Sequence, residues 1–106
     1  MKELWHQIVD ALEEKKARNL VVLDVHGICS FADYIIMVNG MSDRQIKAMA
    51  EHVIYTLGKP SGVEGLDLGR WVLLDYLEVV VHIFQDDLRQ YYDIDGMWME
   101  AKKLVG

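Results

Sequence analysis

Residues 71–84 read WVLLDYLEVVVHIF, and no other stretch of this chain restricts its fold so strongly. β-branched and aromatic residues dominate the run, and such a composition forms strands. With Leu77 and Glu78 as a two-residue turn, strands over 71–76 and 79–84 close into a hairpin. Tyr76 then pairs with Val79, Asp75 with Val80, Leu73 with His82, and Trp71 with Phe84.

Pleating sorts these side chains onto two faces. One holds Val72, Leu74, Tyr76, Val79, Val81 and Ile83, which is almost entirely apolar and predicts core. The other holds Trp71, Leu73, Asp75, Val80, His82 and Phe84, too polar for a deep core and too apolar for plain solvent. Asp75 and His82 are diagonal neighbours about 7–8 Å apart at the backbone, so a bond between them is within reach without being forced. The face therefore reads in two ways. It is a half-buried structural layer with a satisfied imidazole, or it is a contact surface, since aromatics concentrate at the centres of interfaces.

The rest of the chain supplies what packs on the hairpin. Leu4, Trp5, Ile8, Val9, Ala11 and Leu12 recur at helical spacing and predict an amphipathic helix over about 2–17. Alternation predicts strands over 20–26, ending at Gly27, and over 33–39, ending at Gly40. Ser42-Asp43-Arg44-Gln45 fits a capping box. Behind it Ile46, Met49, Ala50, Val53, Ile54 and Leu57 form a helical stripe, and Gly58 with Pro60 marks the stop. A connector over 58–69 has room for a short strand near Val63. From Asp87 onward the pattern is helical, broken at Gly96. The order predicts an α/β (α+β) fold with a mixed central sheet and flanking helices. A chain of 106 residues suits one domain, 1–106.

Composition narrows the partners. Eleven Lys and Arg against 17 Asp and Glu leave a net charge of −6, which repels a phosphate backbone and suits a basic protein partner. No apolar run approaches the roughly 20 residues of a membrane helix, and MKELWHQIVD lacks the layout of a signal peptide. A cytoplasmic protein with no membrane partner is expected. The single cysteine, Cys29, forms no internal disulfide and reads as a small buried residue.

Motifs for nucleotide, serine-nucleophile or zinc-protease chemistry are absent from the sequence. His26 and Cys29 offer two potential ligands where structural zinc needs four. Asp24 and Asp33 are the acidic candidates beside the first two strands, and Asp33 is expected to order its turn through its side chain. No metal, cofactor or catalytic residue is predicted. The enzyme alternative is a nucleotidyltransferase-like one, which needs two or more carboxylates on a divalent cation beside a Gly-Ser loop. Gly40-Met41-Ser42 is a weak likeness of that loop, and Asp24-Val25-His26 gives one carboxylate.

The blocks LVVLDVHGICSFADYIIMVNG, SDRQIKAMA, RWVLLDYLEVVVHIF and LRQYYDIDGMW, in this order and spacing, resemble the ribosomal silencing factor family, also called the Iojap family. The resemblance spans about residues 12–98. It implies a nucleotidyltransferase-like fold without that chemistry. It further implies binding to large-subunit ribosomal protein number fourteen, a block on joining of the two ribosomal subunits, repression of translation, and a role in large-subunit assembly. Free members of the family resemble homodimers. Carried over by position, Trp71, Leu73, Asp75 and His82 form the partner-binding surface with Tyr34, Arg44 and Lys47 as neighbours, and Arg44 and Lys47 are placed for peripheral rRNA contact. Leu77-Glu78 departs from the Gly-Asp of many relatives, which predicts a different turn.

Overall fold

A computed structural model describes residues 2–106. In chain order its elements are α1 (Leu4–Glu14), β1 (Arg18–Asp24), β2 (Tyr34–Gly40), α2 (Asp43–Leu57), β3 (Gly62–Glu64), β4 (Trp71–Asp75), β5 (Val79–Gln85), α3 (Asp86–Tyr91), a 3-10 turn (Asp95–Trp98) and β6 (Lys102–Val105). The described strands form a six-stranded sheet in the order β3-β4-β5-β2-β1-β6. β2 and β5 run parallel, and the other neighbouring pairs are antiparallel. The sheet is mixed, as predicted, and the fold is α/β. A parallel pair needs a long crossover, and the segment through α2, β3 and β4 provides it.

Both long helices lie on one side of the sheet. α1 buries Trp5, Ile8, Val9, Ala11 and Leu12, and α2 buries Ile46, Met49, Ala50 and Val53. These meet Val22, Ile36, Val38, Val72, Leu74, Val79, Val81 and Ile83 in the main core. Each such aliphatic side chain taken from water contributes about 1.5–3 kcal/mol. α2 sits hard against the end of β2: a Cβ on Gly40 would lie 2.5 Å from the Ile46 side chain.

The predicted cap of α2 forms with one change. Ser42 Oγ accepts from the Gln45 N–H at 3.1 Å, but the Gln45 side chain returns to the Met41 N–H at 2.6 Å instead of to Ser42. Its amide also donates to the Lys15 carbonyl at 3.2 Å. One side chain thus ties the end of α1 to the start of α2.

Three expectations need correction. β1 begins at Arg18 and leaves the sheet after Asp24, because Asp24 Oδ1 accepts from the His26 N–H at 3.0 Å and Gly27 then turns with φ +77°. The carboxylate that orders this turn is therefore Asp24, whereas Asp33 faces the His26 ring at 3.4 Å. The C-terminal part is not helical throughout: β6 pairs with the edge of β1, placing Val105 opposite Val22 and Lys103 opposite Leu23. Four residues reading KKLV carry little strand signal, and it is the free edge of β1 that selects this pairing. Among the described residues no helix is long and apolar enough to cross a membrane.

Candidate functional site

The second face of the sheet is only partly covered. Val21, Leu23, Val25, Ile35, Met37 and Phe84 cluster there under Ile94, with Cys29, Trp71, Trp98 and Ala101 packed against them. The segment after α3 is the cover; it reaches Trp71 of β4 through Tyr92 and leaves Leu73 and Asp75 half-buried.

β4 and β5 pair in the predicted register, with Trp71 opposite Phe84, Leu73 opposite His82 and Asp75 opposite Val80. The turn is the unusual part. Leu77 adopts φ +72°, and the Glu78 N–H donates to the Tyr76 carbonyl at 3.0 Å, a tight three-residue turn centred on leucine. Asp75 holds it, its Oδ1 accepting from the Leu77 N–H at 2.8 Å. The acid serves the turn, and no Asp75–His82 bond forms among the described residues.

His82 has a different partner. Its Nδ1 accepts from the Trp71 indole N–H at 3.1 Å. Burial pushes the His82 pKa down to about 4, so the ring is neutral near pH 7 and its proton resides on Nε2. The Trp71 ring is then bounded by His82, Phe84 and Tyr92, with centroids at 6.0, 5.6 and 5.7 Å. Two residues predicted on this surface are withdrawn from it, since Phe84 is fully buried and Val80 only 4% exposed. Ile94 and Trp98 fold back over the part of the sheet that holds Phe84. Trp71, Leu73, Asp75 and His82 remain half-buried.

The other three predicted site residues lie elsewhere. Tyr34 points to the helix side of the sheet, 5.9 Å from the Trp5 ring and edge-on to His26 at 5.1 Å. Alternation explains this, because Tyr34 shares its parity with Ile36 and Val38. Arg44 is exposed on the first turn of α2. Lys47, one turn on, lies close to Gly69, just ahead of Trp71. Tyr34 and the two α2 residues belong to the helix side of the sheet, and they do not join the Trp71 face.

Two features escaped the sequence reading. Tyr92, 53% exposed, extends the aromatic surface beside Trp71. Arg89, only 7% exposed, donates from Nε and Nη2 to the two Asp95 oxygens at 2.7 and 2.9 Å. Its Nη1 donates to Asn39 Oδ1 at 2.9 Å and to the Asn19 carbonyl at 2.7 Å. Asn39 in turn donates to Asp86 Oδ1 at 2.7 Å. This cluster fastens the C-terminal cover across the strand ends. Arg89 stood inside the recognised LRQYYDIDGMW block, but nothing in its spacing announced burial.

The acidic candidates also find their partner. His26 Nδ1 lies 2.7 Å from Asp24 Oδ1 and its Nε2 3.4 Å from Asp33 Oδ1. The hydrogen bond with Asp24 raises the His26 pKa, with Asp33 and Glu3 adding to the shift. Among the described residues no group of three or more His, Cys, Asp or Glu could hold a metal ion. A crevice of about 450 Å³ opens at the carboxyl ends of β2 and β5, beside Asn39, Gly40, Asp86 and Asp87.

A mixed sheet with its two long helices on one side and an aromatic strip on the other defines an α/β protein that displays a sheet face. The family described as "Ribosomal silencing factor during starvation" matches residues 1–105, and this chain belongs to it. The chain is 36% identical over 105 residues to the ribosomal silencing factor RsfS of Halalkalibacterium halodurans, covering 94% of this chain and 89% of the relative. A crystal structure of a Chromobacterium violaceum protein superposes with a TM-score of 0.89 at 34% identity, covering 100% of this chain and 95% of that one. A more distant relative, "Mitochondrial assembly of ribosomal large subunit protein 1" of Mus musculus, is 26% identical over 98 residues, covering 86% of this chain and 43% of the relative.

Proposed function

We propose that this chain acts as one cytoplasmic domain that docks on the large ribosomal subunit through ribosomal protein number fourteen, and so blocks joining of the small subunit and represses translation. The observation that carries the reading is the half-buried strip Trp71, Leu73, Asp75 and His82, left open by the C-terminal cover on a protein of net charge −6. Such a strip gives a basic ribosomal protein an apolar anchor with a complementary rim. A stable complex would cover around 800 Å² on each side. Tyr92 belongs to the same contact. Arg44 and Lys47 reach neighbouring rRNA from α2, while Tyr34, on the opposite side of the sheet, stays with Trp5 and His26.

Blocking is steric and needs no cofactor. A further role in large-subunit assembly follows from the same docking and is supported by the name of the mitochondrial relative. Off the ribosome, the chain pairs with a second copy.

The nucleotidyltransferase alternative has less support. Ser42, the serine of its Gly-Ser loop, has its hydroxyl engaged as the cap of α2. Of the two carboxylates at the crevice beside Gly40, Asp86 has both oxygens engaged, by Asn39 at 2.7 Å and Gln90 at 3.2 Å, so the pair of free carboxylates that a divalent cation needs is not presented there.

The deciding experiment adds purified protein to separated subunits and follows their joining by sedimentation. A falling yield of joined ribosomes with rising protein is expected. Undiminished joining at saturating protein would overturn the reading.

A further inference from the structure

We infer that the slot between Glu64, Trp71 and Leu73 seats one arginine side chain of a basic protein partner, its guanidinium stacked on the Trp71 ring and paired with the Glu64 carboxylate. The inference deepens the docking reading above and rests on it.

The slot is a product of strand register. β3 pairs with β4 so that Glu64 stands opposite Leu73, and with Trp71 the two line an opening of about 230 Å³ at the edge of the uncovered face. Glu64 is exposed and, among the described residues, makes no ion pair or side-chain hydrogen bond. Its carboxylate is available. The indole beside it is already oriented, because its N–H is bonded to His82 and its ring is bounded by His82, Phe84 and Tyr92. A ligand therefore meets a preset aromatic surface.

A cation over an indole face is attracted by the ring quadrupole. Guanidinium is planar, so it can stack and fork toward a carboxylate in one pose, which an ammonium cannot do. His82 is neutral near pH 7, its pKa pushed down to about 4 by burial, so no imidazolium competes beside the ring. Glu64 also repels phosphate, which assigns this part of the surface to a protein side chain and not to a nucleic-acid backbone.

The test is an NMR titration of the ¹⁵N-labelled chain with hexaarginine and, in parallel, hexacitrulline, which keeps the length and a planar head group but lacks the charge. The Trp71 indole N–H is assigned by its loss in Trp71→Phe. Hexaarginine is expected to shift that resonance and the Glu64 amide, with hexacitrulline shifts at least about fivefold smaller. Glu64→Lys should abolish the Trp71 shift while leaving the dispersion of the spectrum intact. Equal shifts with both peptides, no shift at Trp71, or shifts spread over the acidic surface that survive Glu64→Lys would each overturn the slot.

Co-sedimentation with large subunits separates the two readings. If the unaltered chain co-sediments and Glu64→Lys does so with unchanged affinity, the slot is overturned and docking stands. If the unaltered chain fails to co-sediment, docking is overturned, and the peptide titration still decides the slot.

Discussion

Trp71 and His82 lie diagonally across β4 and β5, and the indole N–H of the first ends on Nδ1 of the second at 3.1 Å. This bond takes the place of the Asp75–His82 pair that strand alternation left open. It works only with an imidazole that is unprotonated at Nδ1, so the neutral state of His82 and the pose of Trp71 are two aspects of one arrangement. Asp75 is thereby free to hold the turn at Leu77.

Acid should disrupt this arrangement. The folded pKa of His82 lies near 4, below the 6.5 of an unhindered imidazole, so the unfolded chain binds a proton more readily between these values. The contribution is complete above pH 6.5 and is lost as pH falls toward 4, on the order of 3 kcal/mol in all. His26 runs the other way: its raised pKa contributes stability at low pH that is lost as pH rises through the raised value. Urea midpoints measured from pH 7.5 down to 4.5 should fall, and His82→Gln, which keeps an acceptor for Trp71, should flatten the decline. An unchanged decline in that variant would remove His82 as its source.

Trp71 is the expected energetic centre of the docking face. Trp71→Ala should weaken large-subunit binding by at least about 2 kcal/mol, or roughly thirtyfold, as for other aromatic anchors. The variant should keep its fold, because Trp71 is only half-buried and the main core lies on the opposite side of the sheet. Circular dichroism checks the fold and co-sedimentation the affinity. Full binding by a folded variant would place the contact elsewhere.

The hairpin was legible because its register follows from alternation, which a turn of two residues leaves intact. The helix stripe of α2 and its serine cap were legible for a related reason: period and capping are local. What alternation could not show was which neighbour covers a face. Phe84 and Trp71 share parity, yet one is sealed by Ile94 and the other is not, and that difference is set by Arg89 and Asp95 together with Asn39, which lies 50 residues before Arg89 in the chain. β6 was hidden likewise, since four residues find their conformation only against the edge of β1. Tyr34 was assigned to the contact surface by likeness alone, and its parity with Ile36 already argued for the opposite face.

Leu77 should tolerate, and gain from, replacement by glycine. A left-handed backbone costs a residue with a Cβ about 1–2 kcal/mol, whereas glycine adopts it freely. Glycine's greater freedom in the unfolded chain offsets about 0.5–1 kcal/mol of that. Leu77→Gly is therefore expected to raise stability by a few tenths to about 1 kcal/mol, with the Trp71–Phe84 and Leu73–His82 pairings kept. Denaturation midpoints and cross-strand nuclear Overhauser contacts test both halves. A loss of stability would mean that the Leu77 side chain makes a contact worth more than the strain.

Arg89 should prove the residue on which the C-terminal cover depends most. Its guanidinium satisfies Asp95, Asn39 and the Asn19 carbonyl together and lies over the Phe84 ring, with Cζ 5.6 Å from the centroid. Removing one member of a buried ion pair typically costs 3–5 kcal/mol, because the partner is left uncompensated. Here the Asp95 side chain is 49% exposed and can hydrate, so Arg89→Met should fall near the lower end, at about 3 kcal/mol. The loss should be local before it is global: Ile94 and Trp98 would lift from Phe84, raising dye binding to exposed apolar surface and amide exchange over 93–101 ahead of the strands. The guanidinium also holds the Asp95 carboxyl below the usual carboxylate range, so the pair contributes stability above the unfolded carboxylate pKa that is lost as pH falls through the lowered value. Arg89→Met should lack that acid-side loss. If exchange over 93–101 in Arg89→Met matches that of the unaltered chain, β6 and the apolar contacts hold the cover by themselves, and the arginine cluster is incidental to it.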